Sequence, residues 1–376
     1  MGPVAYLNNA AEGWPRAPGV TDAVREVLDR PPEGAGRSSA DEEDLIAETR
    51  RSVAAWLQVS DPTRIVFAGS ATLALNLGIL GLPPERFSHV LTTVTEHNSV
   101  LRPIHDAVAR YQGRLSLVGL DQAGVLDEES FLRALEGRPT LVAVNHVSNV
   151  TGQINPVESL LAKARQAGAL TLLDASQSVS YLSLRPEQWG VDLMAFGGQK
   201  GLHGPAGVGV LYVSPRVELR PVYSGGTGVQ SDLLHQPPAM PLRLEAGTAN
   251  TVGLAGLRAA LRWRQSAAES FARRAAEMAV RLEQGLSGIS GVRRFGPGGP
   301  RLGVISFRIT GWDPTEAAWV LRRSFGVVSR AGLHCAPLMH KALGTAPEGT
   351  IRFSVSGFTT EEEVEHALEA VRRMAR

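Results

Sequence analysis

Residues 140–176 read TLVAVNHVSNVTGQINPVESLLAKARQAGALTLLDAS, and this stretch decides the fold. TLVAVNHV (140–147) and LTLLDAS (170–176) are short apolar runs of strand length. Between them PVESLLAKARQAG (156–168) carries a helical pattern. Strand, helix, strand in that span is a βαβ unit, whose two strands run parallel. The same rhythm extends outward. Upstream lie RIVFAG (64–69), the helical SATLALNLGILGL (70–82), HVLTTV (89–94), the helical NSVLRPIHDAVARY (98–111) and LSLVGL (115–120). Downstream are DLMAFGG (192–198) and GVGVLYVS (207–214), the latter a strand returning beside the sheet. The expectation is an α/β fold with a large, mainly parallel sheet covered on both faces.

A helix is expected over 41–57, where acidic residues precede basic ones as the helix dipole favours. A long helical stretch runs over about 251–288, and after it the rhythm changes. VRRFG (292–296), GVISFRI (303–309), VVSRAG (327–332) and IRFSVS (351–356) read as strands, and PTEAAWVLRRSFG (314–326) as a helix. The last helix opens on Thr360 and Glu363, a capping box, with Val364, Ala367, Leu368, Val371 and Met374 on one stripe. The expected division is a large domain over 1–255, its N-terminal segment free to pack on the small one, a connecting helix over 256–288, and a smaller α+β domain over 289–376. Two Gly/Pro-rich loops, 30–40 and 224–241, are long enough to be functional.

Composition narrows the function. Of 376 residues, 43 % are apolar and 20 % charged, enough for a large core. The formal net charge of +1 argues against a protein living on nucleic-acid phosphates or an anionic membrane. No run approaches the roughly 18 apolar residues of a membrane span. The start, MGPVAYLNNAAEGWP, does not read as a secretory signal. The single cysteine, Cys335, excludes a disulfide or a thiolate-rich metal site within one chain. A cytoplasmic protein without a metal is expected. Of the 38 basic residues only Lys163, Lys200 and Lys341 are lysines, so each invites a question.

Six local patterns carry chemistry. In AFGGQKGLHGPAGVG (195–209), Lys200 follows a strand among six glycines, which let the backbone pass close to a ligand. A lysine desolvated there offers a neutral amine as a Schiff-base nucleophile; otherwise it is a solvated loop residue. Asp174 ends the strand LTLLD, where open α/β sheets place ligands, and could pair with a protonated ring nitrogen, with Gln177 three residues on; it could equally cap a following helix. Gly69, Ser70, Ala71 and Thr72 open a helix after a strand, an anion cradle suited to phosphate or an ordinary serine cap. His97, just after a strand, could stack on an aromatic ring or move protons, or be a structural histidine. Cys335 sits near Arg330 and His334, which favour a thiolate, or it fills apolar space. Arg352, alternating with apolar residues in a strand, could clamp a carboxylate bidentately or make an edge-strand salt bridge. In combination these patterns describe pyridoxal 5′-phosphate handling an amino acid.

With EHNSVLRP, NHVSNVTGQINP, DASQS, QKGLHGPAGVG, EAGTANTVGLAGL, RAGLHCAP and GTIRFSVSGF in this order, the sequence resembles the class V aminotransferase-like group of fold-type I pyridoxal-phosphate enzymes, and within it the cysteine desulfurases and selenocysteine lyases. The similarity runs over nearly the whole chain. It implies that Lys200 carries the cofactor, Asp174 pairs with the pyridinium nitrogen, Gln177 bonds the ring hydroxyl oxygen and His97 stacks and shuttles protons. It further implies Asn149 near the ring hydroxyl and substrate carboxylate, Ala71 and Thr72 on the phosphate, and Arg352 on the substrate carboxylate. Thr248 would reach the phosphate of a partner subunit, which implies a homodimer with shared sites. Cys335 would take the substrate sulfur as a persulfide, leaving alanine, with a sulfur-acceptor protein as a possible partner. Other activities of the group are selenocysteine lyase, another C–S lyase and aminotransferase. Two departures stand out. Gly197-Gly198-Gln199-Lys200 replaces a run that usually holds Ser or Thr and then Gly-His-Lys, so Gln199 is expected to substitute for a phosphate donor. The loop RSSADEED lacks the His that often occurs near position 38.

Overall fold

A computed structural model describes residues 4–31, 44–298 and 301–376. Most of the loop 30–40, all of RSSADEED but its last residue, and the first residues of the helix expected over 41–57 lie outside them. Seven strands form the large sheet: β1 (Ile65–Ala68), β2 (His89–Thr93), β3 (Arg114–Val118), β4 (Leu141–Asn145), β5 (Leu170–Asp174), β6 (Leu193–Gly197) and β7 (Gly209–Val213). Their order is β1-β7-β6-β5-β4-β2-β3. All pairs are parallel except those made by β7, which runs against both β6 and β1.

The uninterrupted apolar strands follow from burial on both faces. Side chains alternate along β4: Val142 and Val144 join one core with Phe131, Leu160 and Leu257, whereas Leu141 and Ala143 join the other with Leu75, Val100 and Ile104. A period of two with both faces covered leaves no polar position, so the strand reads as continuous hydrophobics. Helix Ala71–Leu80 lacks the amphipathic stripe of a surface helix and buries Ala74, Leu75, Leu77 and Ile79.

A 37-residue helix, Thr251–Ser287, passes from this core to a second one. Its early residues Leu254, Leu257 and Leu261 pack in the large sheet's core, and Met278, Leu282 and Leu286 against a smaller sheet. The smaller sheet is antiparallel, in the order Arg330–Gly332, Thr350–Ser354, Val304–Ile309, Val292–Phe295. The stretch 327–332, read from sequence as one strand, is two. Val327–Val328 pairs in parallel with Ala5–Tyr6 of the N-terminal segment, and only Arg330–Gly332 joins the smaller sheet. Helices Val20–Leu28, Glu128–Leu135 and Pro337–Ala342 add to those expected. The C-terminal helix Glu361–Met374 starts on the capping box of Thr360 and Glu363.

The N-terminal segment links the two cores to the site. Ala10 N–H donates to Ser354 Oγ at 2.9 Å, and Gly13 N–H donates to the Gln199 carbonyl at 2.7 Å. A Cβ on Gly13 would collide with the Lys200 carbonyl, so only glycine allows this approach.

Candidate active site

The carboxyl ends of β4, β5 and β6 open into a cavity of about 190 Å³ that both Asp174 and Lys200 line. This is where an open parallel sheet leaves room for a ligand. Asp174 is the last residue of β5 and only 7 % exposed. Its Oδ1 accepts the Ser176 N–H at 2.9 Å. Turns rather than a helix follow, so it caps no helix. Lys200 stands in the turn after β6, its carbonyl accepting the His203 N–H at 2.9 Å. Burial pushes its ammonium pKa down against the pull of Asp174, and the guanidinium groups of Arg352 and Arg330 push the same way.

One wall is a helix start. Ser70 caps helix Ala71–Leu80 by accepting the Leu73 N–H at 3.2 Å. The N–H groups of Ala71 and Thr72 have no partner within the helix, and both residues line the cavity. Serine capping and an anion cradle thus coexist. Thr72 Oγ1 pairs with Ser99 Oγ at 2.8 Å. Beside Ala71, Gln199 Oε1 is buried and unpartnered. A Cβ on Gly197 would lie 2.5 Å from that oxygen. A Cβ at 197 would displace that flexible amide, so glycine here leaves the Gln199 side chain its place beside Ala71.

His97 caps helix Asn98–Arg110. Its Nδ1 accepts the Ser99 N–H at 3.0 Å, so the proton of the neutral ring is on Nε2. Burial and the nearby Lys200 push its pKa down to about 4, which keeps the ring neutral near pH 7. Gln177 lines the cavity and donates from Nε2 to the Ala10 carbonyl at 2.9 Å.

The opposite wall comes from the smaller sheet. Arg352 is 1 % exposed on an interior strand, not an edge strand, and has no acidic partner among the described residues. Its Nη1 donates to the Asn149 carbonyl at 2.8 Å, but Nε and Nη2 are buried without partners. These two donors form the fork that binds a carboxylate side-on. Burial and neighbouring Arg330 push the guanidinium pKa down to about 9. Asn149 also donates from Nδ2 to the His334 carbonyl at 2.7 Å, and the Asn98 N–H donates to the Cys335 carbonyl at 2.7 Å. The Cys335 loop is thus pinned to the elements carrying His97 and Asn149. His334 and Cys335 both have left-handed backbones, with φ of 49° and 59°. The Cys335 thiol is half-buried and 3.5 Å from Arg330 Nη2, and Arg330 lines the cavity.

Among the described residues lining the cavity, Asp174 is the only acid, against Lys200, Arg330 and Arg352. That balance suits a ligand pair carrying a phosphate and a carboxylate. The donor set fits pyridoxal 5′-phosphate: a helix start for phosphate, an acid for the ring nitrogen and an amine for the aldehyde. Thr248 does not line this cavity. It is exposed on a groove of about 1030 Å³ that also includes Gly69, next to the cradle. Among the described residues no cluster could hold a metal ion, and no helix is long and apolar enough to cross a membrane.

Sequence reasoning missed Glu96, Asn145 and Ser99. Glu96 is fully buried beneath the cavity, its Oε1 accepting from Thr93 Oγ1 and from the Asn145 N–H. Burial raises its carboxyl pKa to about 8. An acidic residue beside His97 at a strand end was visible in TEHN, but only the fold shows that it points inward.

The Aminotransferase class-V family model matches residues 6–367. A probable cysteine desulfurase of Pseudomonas putida is 36 % identical over 331 residues, covering 86 % of this chain and 81 % of that protein. A probable cysteine desulfurase 2 of Mycobacterium leprae is 34 % identical, covering 98 % of this chain and 91 % of that protein. Among solved structures, the apo cysteine desulfurase of Thermococcus onnurineus superimposes with a TM-score of 0.88 at 30 % identity, covering 99 % of this chain and 94 % of that one.

Proposed function

The chain belongs to the class-V aminotransferase family, and from that premise we propose that it converts L-cysteine to L-alanine with pyridoxal 5′-phosphate and keeps the sulfur as a persulfide on Cys335. That it is an enzyme of the cysteine desulfurase kind follows from relatives that match most of its length. The assignment of its residues is our own reading.

The observation that carries this reading is the pairing of two features, one in the cavity wall and one next to it. Arg352 offers an unpaired buried fork in the lining, and the chain's single thiol, just behind that lining, stands 3.5 Å from Arg330, which lines the same cavity. The fork holds an amino acid by its carboxylate, and transamination alone has no use for the thiol. When bound, pyridoxal 5′-phosphate supplies an electron sink for the α-carbon of the amino acid. Asp174 holds the proton on the ring nitrogen, and Ala71, Thr72 and Gln199 hold the phosphate. Lys200, its pKa lowered by burial, would offer the amine that holds the cofactor and takes the α-proton of the amino acid. His97, neutral with its proton on Nε2, would relay protons in the same cavity. Gln177 and Asn149 orient the ring hydroxyl and the carboxylate.

In the net reaction the substrate Cβ–Sγ bond breaks and a bond forms between that sulfur and Cys335 Sγ. Cysteine and the Cys335 thiol become alanine and the Cys335 persulfide, with no external oxidant or reductant. A second thiol, on an acceptor protein, then removes the sulfur. Thr248, exposed and outside its own chain's cavity, supports a homodimer in which each chain completes the other's phosphate site. A thiol that must stay reduced fits the cytoplasm.

The test is alanine and sulfide production from cysteine by purified protein with a reductant present. Wild type is expected to form both in equal amounts, and Cys335→Ala neither above background. Unchanged sulfide release by Cys335→Ala would reject the persulfide route and favour a direct C–S lyase.

A further inference from the structure

β1 is the edge strand of the large sheet, so alternate N–H and C=O groups face away from its one partner, β7. Among the described residues no strand takes them up. The Ile65 carbonyl accepts from Arg50 Nη1, and the Phe67 N–H donates to Glu245 Oε1 at 2.6 Å. Arg50 and Glu245 in turn form a two-point pair, Nη1 to Oε1 at 2.8 Å and Nη2 to Oε2 at 2.9 Å. The guanidinium also lies over the Phe67 ring, 4.7 Å from its centroid. Both side chains are largely buried, at 9 % and 20 % exposure. The ion pair therefore stands in for a missing strand. It locks helix Leu45–Leu57 and β1 to the segment that carries Thr248, three residues after Glu245.

We infer that Arg50 and Glu245 are positioning residues for the cofactor phosphate of the other subunit, acting through Thr248. The inference rests on the shared-site dimer proposed above. The groove that Arg50, Glu245 and Thr248 line also reaches Gly69, the residue before Ser70. On the shared-site reading, this groove is where a second chain would seat, with Thr248 of one copy reaching the cradle of the other. The pair does not line its own chain's Lys200 cavity. A rigid two-point pair fixes the height and direction of the following backbone, which a single exposed threonine cannot do alone.

Hybrid dimers separate this role from general stabilisation. Two differently tagged chains are co-expressed, Lys200→Ala in one leaving a single competent lysine per dimer. In the cis hybrid, Glu245→Gln is on the Lys200→Ala chain; in the trans hybrid, it is on the chain that keeps Lys200. The readout is the dissociation constant of pyridoxal 5′-phosphate, titrated by absorbance against hybrids whose chains both carry Glu245. The cis hybrid is expected to bind roughly ten- to a hundredfold more weakly, the worth of one hydrogen bond to a charged group. The trans hybrid is expected to match the control. The reverse pattern would mean that the pair acts through β1 on its own chain's cradle, and equal affinities in both would mean a purely structural pair; either overturns the inference. Arg50→Lys, which keeps the charge but not the fork, is expected to follow Glu245→Gln and guards against misfolding of one variant. Failure of the dimer reading is seen separately, as a monomer by sedimentation before any titration.

Discussion

The two halves of the cavity are finished to different degrees. On the cofactor side the polar groups already have partners: Asp174 with Ser176, His97 with Ser99, Gln177 with Ala10. On the substrate side they do not. Arg352 Nε and Nη2, Asn149 Oδ1 and His334 Nδ1 are all buried and unpaired. Buried polar groups without partners are costly, so such a cluster marks where a ligand is to supply them. Among the described residues lining the cofactor side, only Gln199 Oε1 is such an atom, beside Ala71. The unpaired donors of Arg352 thus stand where a carboxylate is expected, whereas the amide oxygens of Gln199 and Asn149 await a donor. One half is preorganised for a permanent tenant, the other strained toward a passing one.

Breaking each half separately should give different signatures. Lys200→Ala, on the preorganised side, is expected to cost roughly 10⁴-fold or more in alanine formation, because a group acting in several steps is lost. It should also abolish the yellow colour of the bound cofactor. Cys335→Ser should reduce persulfide formation comparably while leaving that colour and the cofactor affinity intact. If the colour were lost as well, the division into two halves would fail.

Arg352→Met gives a smaller effect but a sharper contrast. KM for cysteine should rise roughly ten- to a hundredfold with cofactor binding little changed, since a charge-assisted fork is removed. Stability should stay level or increase, because replacing a buried, half-paired charge by an apolar side chain of similar length relieves an existing cost. A marked fall in Tm would show that Arg352 serves the fold rather than the substrate.

The smallest effect concerns Glu96 and pH. Its pKa rises from about 4.5 unfolded to about 8 folded. Below pH 4.5 both states hold the proton; as pH climbs toward 8 only the folded state still does, so stability falls over that window. Glu96→Gln cannot lose a proton. It should therefore gain on wild type between pH 5 and 8, by on the order of 1 kcal/mol or more, as one pKa unit corresponds to about 1.4 kcal/mol. Urea melts at pH 5 and pH 8 check this, and equal differences at both would contradict the buried neutral acid. His97, whose pKa is lowered, works in the other direction, losing stability as pH falls from its ordinary value toward about 4.

The cofactor half was the more legible in sequence, for a physical reason. Parallel strands deliver their chemistry at their carboxyl ends, so Asp174 and Lys200 stand where an apolar run stops and a polar residue follows. The substrate half is built from side chains in the middle of a strand and on a loop. Arg352 could be suspected from sequence, but its freedom from any acidic partner needed the neighbouring strands. The pinning of the Cys335 loop, by Asn98 at Cys335 and by Asn149 at His334, joins residues more than 180 positions apart, which no local pattern encodes. The same holds for Arg50 and Glu245, and for the accommodation of Gln199 by Gly197. The division of 327–332 into two strands was hidden because the N-terminal segment that pairs with half of it lies at the far end of the chain.

The most direct measurement mixes the cofactor-loaded protein with cysteine in the absence of oxygen and reductant, and determines the mass of the peptide carrying Cys335 together with the alanine formed. A gain of one sulfur atom on Cys335, mole for mole with alanine in the first turnover and absent in Arg352→Met at the same low cysteine concentration, is the predicted result. Alanine released in full while the Cys335 peptide keeps its original mass would contradict it.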